Sequence, residues 1–171
     1  MFAIDQSRAR GHDVRQEAGL LEANQILKAT RFADTACPVV FRDSSLRQIL
    51  AFKHPTKGLQ LVKGRIDPGE EPQAAALREL AEEAGIDNAS IARDLGVWNS
   101  GHLGHVWSLQ LCSYLPNLPE SWKHFCADDG GTDLEFFWHD VHSRSLDGWA
   151  EHYRGALATI RDRTRPLLWR G

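Results

Sequence analysis

The sequence is short of cysteine, of basic charge and of long apolar runs, and each shortage excludes something. Its three cysteines, Cys37, Cys112 and Cys126, stand far apart in 171 residues. So sparse and odd a set, with no metal-type pair spacing, excludes a disulfide framework and fits a reduced compartment. No apolar stretch approaches the roughly 18 residues of a membrane span. Met1 to Arg15 carries Asp5, Arg8, Arg10, Asp13 and Arg15 around no long apolar centre, so it does not read as a secretory signal. A cytoplasmic protein away from membranes is the expectation. Lys plus Arg number 20 against 23 Asp plus Glu, a net charge of −3. The basic footprint of extended nucleic-acid binding is therefore missing. A small phosphorylated partner needs only a local site and stays open. Repeats and low-complexity blocks are absent too. With 42% hydrophobic and 25% charged residues, the chain reads as one globular domain over 1–171.

Along the chain, residues 16–29 place Leu20, Leu21, Ala23, Ile26 and Leu27 at helical intervals. This gives an N-terminal helical segment within 1–33, able either to support a homodimer or to pack on its own sheet. Residues 36–42 and 46–53 are short and apolar around Asp43-Ser44-Ser45, the pattern of a hairpin. Further strands are expected at 59–62, 93–99, 104–115 and 134–139. Residues 116–131, with two prolines and a Gly-Gly pair, read as a long loop, and a last helix covers about 147–163. Strands and helices outside simple alternation predict a mixed α/β domain.

The clearest helix spans 72–84. Pro72 suits a first helical turn, and Gly85 suits a left-handed stop. At 100° per residue, Glu79, Glu82 and Glu83 fall within about 100° of one another, with Leu77, Leu80, Ala81 and Ala84 roughly opposite. Three acids crowded on one face repel one another, and a hard divalent cation relieves them. An ordinary solvated acidic face has the same spacing. Arg78, beside that face, is placed to pair with Glu70 and tie the preceding loop to the helix.

The segment resembles the Nudix box: Gly, five residues, Glu, seven residues, Arg-Glu, an aliphatic, any residue, Glu-Glu, any residue, Gly, an aliphatic. Gly64, Glu70, Arg78, Glu79, Leu80, Glu82, Glu83, Gly85 and Ile86 match every position. The resemblance implies an α/β/α sandwich with a mixed β-sheet. It also implies a metal-dependent pyrophosphohydrolase using Mg²⁺ or Mn²⁺, in which water attacks a phosphorus of a nucleoside diphosphate linked to another moiety. Dinucleoside polyphosphates and nucleoside triphosphates fall within that class. Glu82 and Glu83 then correspond to the main metal ligands. Glu79 corresponds to a further ligand or to a base acting on water. The backbone of Lys63 corresponds to a carbonyl ligand, and Gly64, Glu70, Arg78 and Gly85 are structural. A non-catalytic nucleotide sensor on the same fold is the alternative, although such modules usually lose box glutamates and none is lost here. An isoprenoid diphosphate isomerase would need a poised cysteine and glutamate that the sequence does not display.

Outside the box, the family often adds one more acid. Candidates are Glu120, Asp128, Asp129, Asp133 and Glu135, with Glu135 favoured because it precedes the aromatic strand Phe136-Phe137-Trp138. Lys53, His54, Lys57 and Lys63 are available to phosphates as point charges, Lys63 best placed beside Gly64. Trp98 or Trp107 offers a face for a nucleobase. His102 and His105 read as turn histidines. The run Leu-Val-Lys63-Gly64 resembles the Pro-Lys-Gly variant of enzymes acting on dinucleoside polyphosphates, with Val62 in place of the proline. The extra motifs of the ADP-ribose, coenzyme A and NADH hydrolases are missing.

Overall fold

The computed structural model describes residues 33–113, 115–128 and 131–169. The helix expected over 16–29 lies outside them, as does Asp129. Every element below belongs to the unit Ala33–Gly171. In chain order these are β1 (Thr35–Val39), β2 (Gln48–His54), β3 (Gly58–Gln60), β4 (Gly64–Arg65), α1 (Pro72–Ala84), β5 (Ile91–Asn99), β6 (Val106–Cys112), β7 (Ser121–Cys126), β8 (Thr132–Asp140) and α2 (Glu151–Thr164). A 3-10 turn over Arg165–Trp169 follows. Among the described residues no helix is long and apolar enough to cross a membrane.

The strands form two four-stranded sheets, β4-β1-β6-β5 and β3-β2-β8-β7. Within them only β1 and β6 run parallel, Thr35 opposite Trp107. The α/β/α arrangement is present, with its strands divided between two sheets rather than held in one. Side chains alternate across a strand, and β2 uses both faces. Leu50 and Phe52 join Leu80 and Ala84 of α1 in one core cluster. Ile49 and Ala51 join Tyr153, Leu157 and Ile160 of α2 in another. The two helices thus cover opposite faces.

Two expectations need correction. The hairpin around Asp43–Ser45 forms only near its tip, where Leu50 N–H donates to Val40 C=O at 2.8 Å and Arg42 N–H to Gln48 C=O at 2.9 Å. Beyond that point the strands part into different sheets. Every residue of β1 is buried, and β4 and β6 supply its pairing on both edges. The supposed loop over 116–131 contains β7, antiparallel to β8 with Trp122 opposite Phe136. Its signal was the alternation of half-buried Trp122, buried Cys126 and exposed Lys123 and Phe125, hidden between prolines and acids.

Helix α1 forms where the sequence places it. Pro72 opens it, and Gly85 closes it at φ 72° with its N–H donating to the Ala81 carbonyl. A side chain at that φ is disfavoured, and a Cβ on Gly85 would also lie 2.8 Å from His124 Nδ1. Trp122 clamps the same helix end by donating its indole N–H to the Ala84 carbonyl at 3.0 Å. Its ring stacks on Phe136 at 5.1 Å. Strand β7, and the residues that follow it, are thereby held against α1.

Candidate functional site

The loop before α1 is fastened by a two-pronged ion pair. Arg78 Nε and Nη2 donate to the two carboxylate oxygens of Glu70, both at 2.9 Å. Glu70 also accepts the Asp67 N–H at 3.0 Å. These bonds hold the Glu70 carboxyl down to about 2, the Arg78 contact first. The same guanidinium reaches further than the spacing indicated. It donates to Glu79 at 2.7 Å, to Glu82 at 3.1 Å and to the Arg65 carbonyl at 2.8 Å. One arginine therefore links loop, β4 and the acidic helix face.

The three box acids are not equivalent. Glu79 is 6% exposed. Its carboxylate lies against the Cα of Gly64, where an added Cβ would fall 1.8 Å from Glu79 Cδ and 2.0 Å from each oxygen. Only glycine leaves that space. Burial pushes the Glu79 carboxyl up against the pull of Arg78, and the charges of Glu82 and Asp128 push the same way. Glu83 is half-buried, and Glu82 is exposed on the outer side of the helix.

Lys63, Gly64, Glu79 and Glu83 line one cavity of about 270 Å³, together with His54 and Asp128. The structure does not bring Glu135 or Lys53 to it. Phe52 and His54 of β2 and Leu134 of β8 face the cavity, so Lys53 and Glu135 project to the other side of the sheet. There they are cross-strand partners. Glu82 does not line the cavity either. Of the other described candidate acids, Asp128 is the one at the wall, and Glu120 is paired with Arg42. Asp128 was one acid among five in sequence. It stands out only once β7 is recognised, because that strand delivers it to the cavity.

A second cavity of about 740 Å³ adjoins the first and shares Gln60, Lys63, Gly64 and Arg65 with it. Trp107 and Tyr153 line it, and Lys63 Nζ lies 5.9 and 6.0 Å from their ring centroids. That aromatic seat for the lysine was not anticipated, since its parts come from β6 and α2. Trp98 lines neither cavity. It packs edge-on to Trp107 at 5.5 Å, its ring so close to α2 that a Cβ on Gly155 would lie 2.9 Å away. His105 pairs with Asp34 at 3.1 Å, and His102 stacks on His152 at 4.2 Å between centroids.

Among the described residues no three His, Cys, Asp or Glu side chains converge into a ready-made cation cage. The donor chemistry nevertheless fits a hard divalent ion. The cavity's ionisable oxygens come from Glu79, Glu83 and Asp128, and no soft ligand competes there except buried Cys126. Mg²⁺ ordinarily takes one or two carboxylates and leaves its other positions to water and phosphate.

Known proteins resemble this chain in part. A segment of 42 residues is 45% identical to an ADP-ribose pyrophosphatase of Haemophilus influenzae, covering 25% of this chain and 19% of that protein. A segment of 41 residues is 51% identical to an RNA pyrophosphohydrolase of Gluconobacter oxydans, covering 24% of each. The matches thus span about a fifth to a quarter of those relatives. The crystal structure of a C. elegans Ap4A hydrolase superposes with a TM-score of 0.52 at 19% identity, covering 80% of this chain and 99% of that one. That likeness is one of fold. The NUDIX domain model matches residues 31–158, about three quarters of the sequence, and the chain belongs to that family.

Proposed function

We propose that this protein is a divalent-cation-dependent hydrolase of the phosphoric anhydride in nucleoside diphosphates linked to another moiety. The observation that carries this reading is the single cavity where Glu79, Glu83 and Asp128 face the cations Lys63 and Arg65. Family membership supports it, as do the pyrophosphatase names of the partial relatives.

Glu83 and Glu79 are the carboxylates that would hold the ion, with Glu82 at the rim of the same helix face and the Lys63 carbonyl beside Gly64. A bound Mg²⁺ or Mn²⁺ supplies neutralisation of phosphate charge and acidification of water. The chain's own residues do the rest. Lys63 and Arg65 orient the phosphate oxygens as donors. Glu79, raised by burial, is suited to take a proton from the attacking water at its carboxylate. Asp128 faces the same space from the other wall and adds a second acceptor. The Arg78–Glu70 clamp keeps the loop, and with it Gly64, pressed on Glu79.

A panel of nucleoside triphosphates, dinucleoside polyphosphates, nucleotide sugars and capped RNA, each titrated with Mg²⁺, tests the reading. Glu83→Gln is expected to lower kcat by about 10²-fold or more with an unchanged circular dichroism spectrum. Near wild-type turnover of that variant at saturating Mg²⁺ overturns the assignment of Glu83. Tight nucleotide binding with no product from any substrate favours a sensor instead.

A further inference from the structure

Two cavities of opposite character meet at Lys63, Gly64 and Arg65. The smaller holds the carboxylates just described. The larger holds the imidazoles of His102, His105 and His152, and among the described residues its one carboxylate is Asp34. Asp34 is already engaged, accepting from Thr35 Oγ1 at 2.6 Å and from Val106 N–H at 3.3 Å while pairing with His105. The side-chain amide oxygen of Gln60 is engaged too, accepting from the Tyr153 hydroxyl at 2.8 Å. So the larger cavity offers few acceptors to the hydroxyls of a sugar.

It offers positive charge instead. Among the described residues neither Lys63 nor Arg65 has an ion pair. Lys63 is seated on two ring faces, which attract an ammonium group without cancelling its charge. Arg65 is exposed at the boundary of both cavities. The stacked His102–His152 pair adds ring N–H groups on the far wall. Burial, then His102 and Lys63, push the His152 imidazole below its usual value, so it meets an anion as a neutral N–H donor.

Resting on the hydrolase reading above, we propose that the larger cavity holds phosphate groups beyond the cleaved anhydride. The substrate then carries three or more phosphates in a row, rather than a diphosphate joined to a sugar. Lys63 and Arg65 bridge the two parts of the chain, one part over the acids and the other against the imidazoles. Trp107 and Tyr153 are positioning residues that aim Lys63.

Two measurements decide this. Inorganic tripolyphosphate and inorganic pyrophosphate are titrated calorimetrically into the full chain without added metal. Tripolyphosphate is expected to bind about tenfold tighter, and Arg65→Ala and Lys63→Met to weaken it by about tenfold each. Equal affinity for the two anions, or variants that bind like wild type, overturns the proposal. In the second measurement, His102→Ala, which touches the larger cavity and not the smaller, is expected to lower kcat/KM for ATP by about tenfold and that for ADP-ribose by less than about threefold. An equal loss on both also overturns it. His102 is an exposed side chain, so the variant is expected to fold, and circular dichroism checks this. If wild type cleaves no member of the panel above, the hydrolase reading falls, while the tripolyphosphate titration still decides what the cavity binds.

Discussion

Arg78 shows how far one side chain's role is readable in advance. Its pairing with Glu70 follows from spacing within a short loop and about two helical turns, and the structure makes it two-pronged. Its bonds to Glu79, Glu82 and the Arg65 carbonyl depend on where β4 runs and were not legible. The pair has a pH signature. Glu70 titrates at about 2 in the folded chain against an ordinary 4.5. A depressed carboxyl contributes stability that is complete above the ordinary value and lost as pH falls through the folded one. Glu70→Gln is therefore expected to be less stable than wild type at neutral pH, with the gap closing between about pH 4.5 and about pH 2. Denaturant unfolding across that window checks it, and a gap independent of pH counts against it. Because the pair borders solvent, high salt should narrow the gap. Asp128 is the opposite case. Five acids in a short stretch look alike in sequence. Strand alternation sets Glu135 aside, because it shares a strand face with no cavity residue.

Helix α1 was legible because its signals are local: a proline at the start, alanines within, a left-handed glycine at the end. Strand β7 was not, because its apolar residues alternate over only six positions between turn-formers, and its pairing with β8 makes it a strand. Helix α2 adds a test of packing against propensity. Gly155 lies inside it, where replacement by alanine gains about 1 kcal/mol of helix propensity. The added Cβ meets the Trp98 ring at 2.9 Å, and overpacking of that kind costs about 1–3 kcal/mol. The ring is already fixed edge-on against Trp107, so the clash should win. Gly155→Ala is expected to be about 1 kcal/mol less stable by urea unfolding. A gain of that size would mean that the tryptophan swings aside freely.

For the domain as a body, cation binding should register in stability as well as in turnover. An ion that binds only the folded chain stabilises it by about 2.7 kcal/mol at 100 times its Kd. For a chain of this length that is roughly 5–10 °C in Tm. Thermal unfolding with and without Mg²⁺ is expected to show the shift in wild type and to lose most of it in Glu83→Gln. An equal shift in both places the ion elsewhere. The parallel pairing of β1 with β6 has a consequence in time. It joins Thr35 to Trp107, positions no tight turn can bring together, and such distant closures form slowly. Trp107 supplies one face of the seat for Lys63, and Tyr153, later still, supplies the other. A chain emerging from the ribosome thus carries its acidic helix well before the aromatic seat of Lys63 can form. That seat is complete only once α2 has been made and has packed on the sheets.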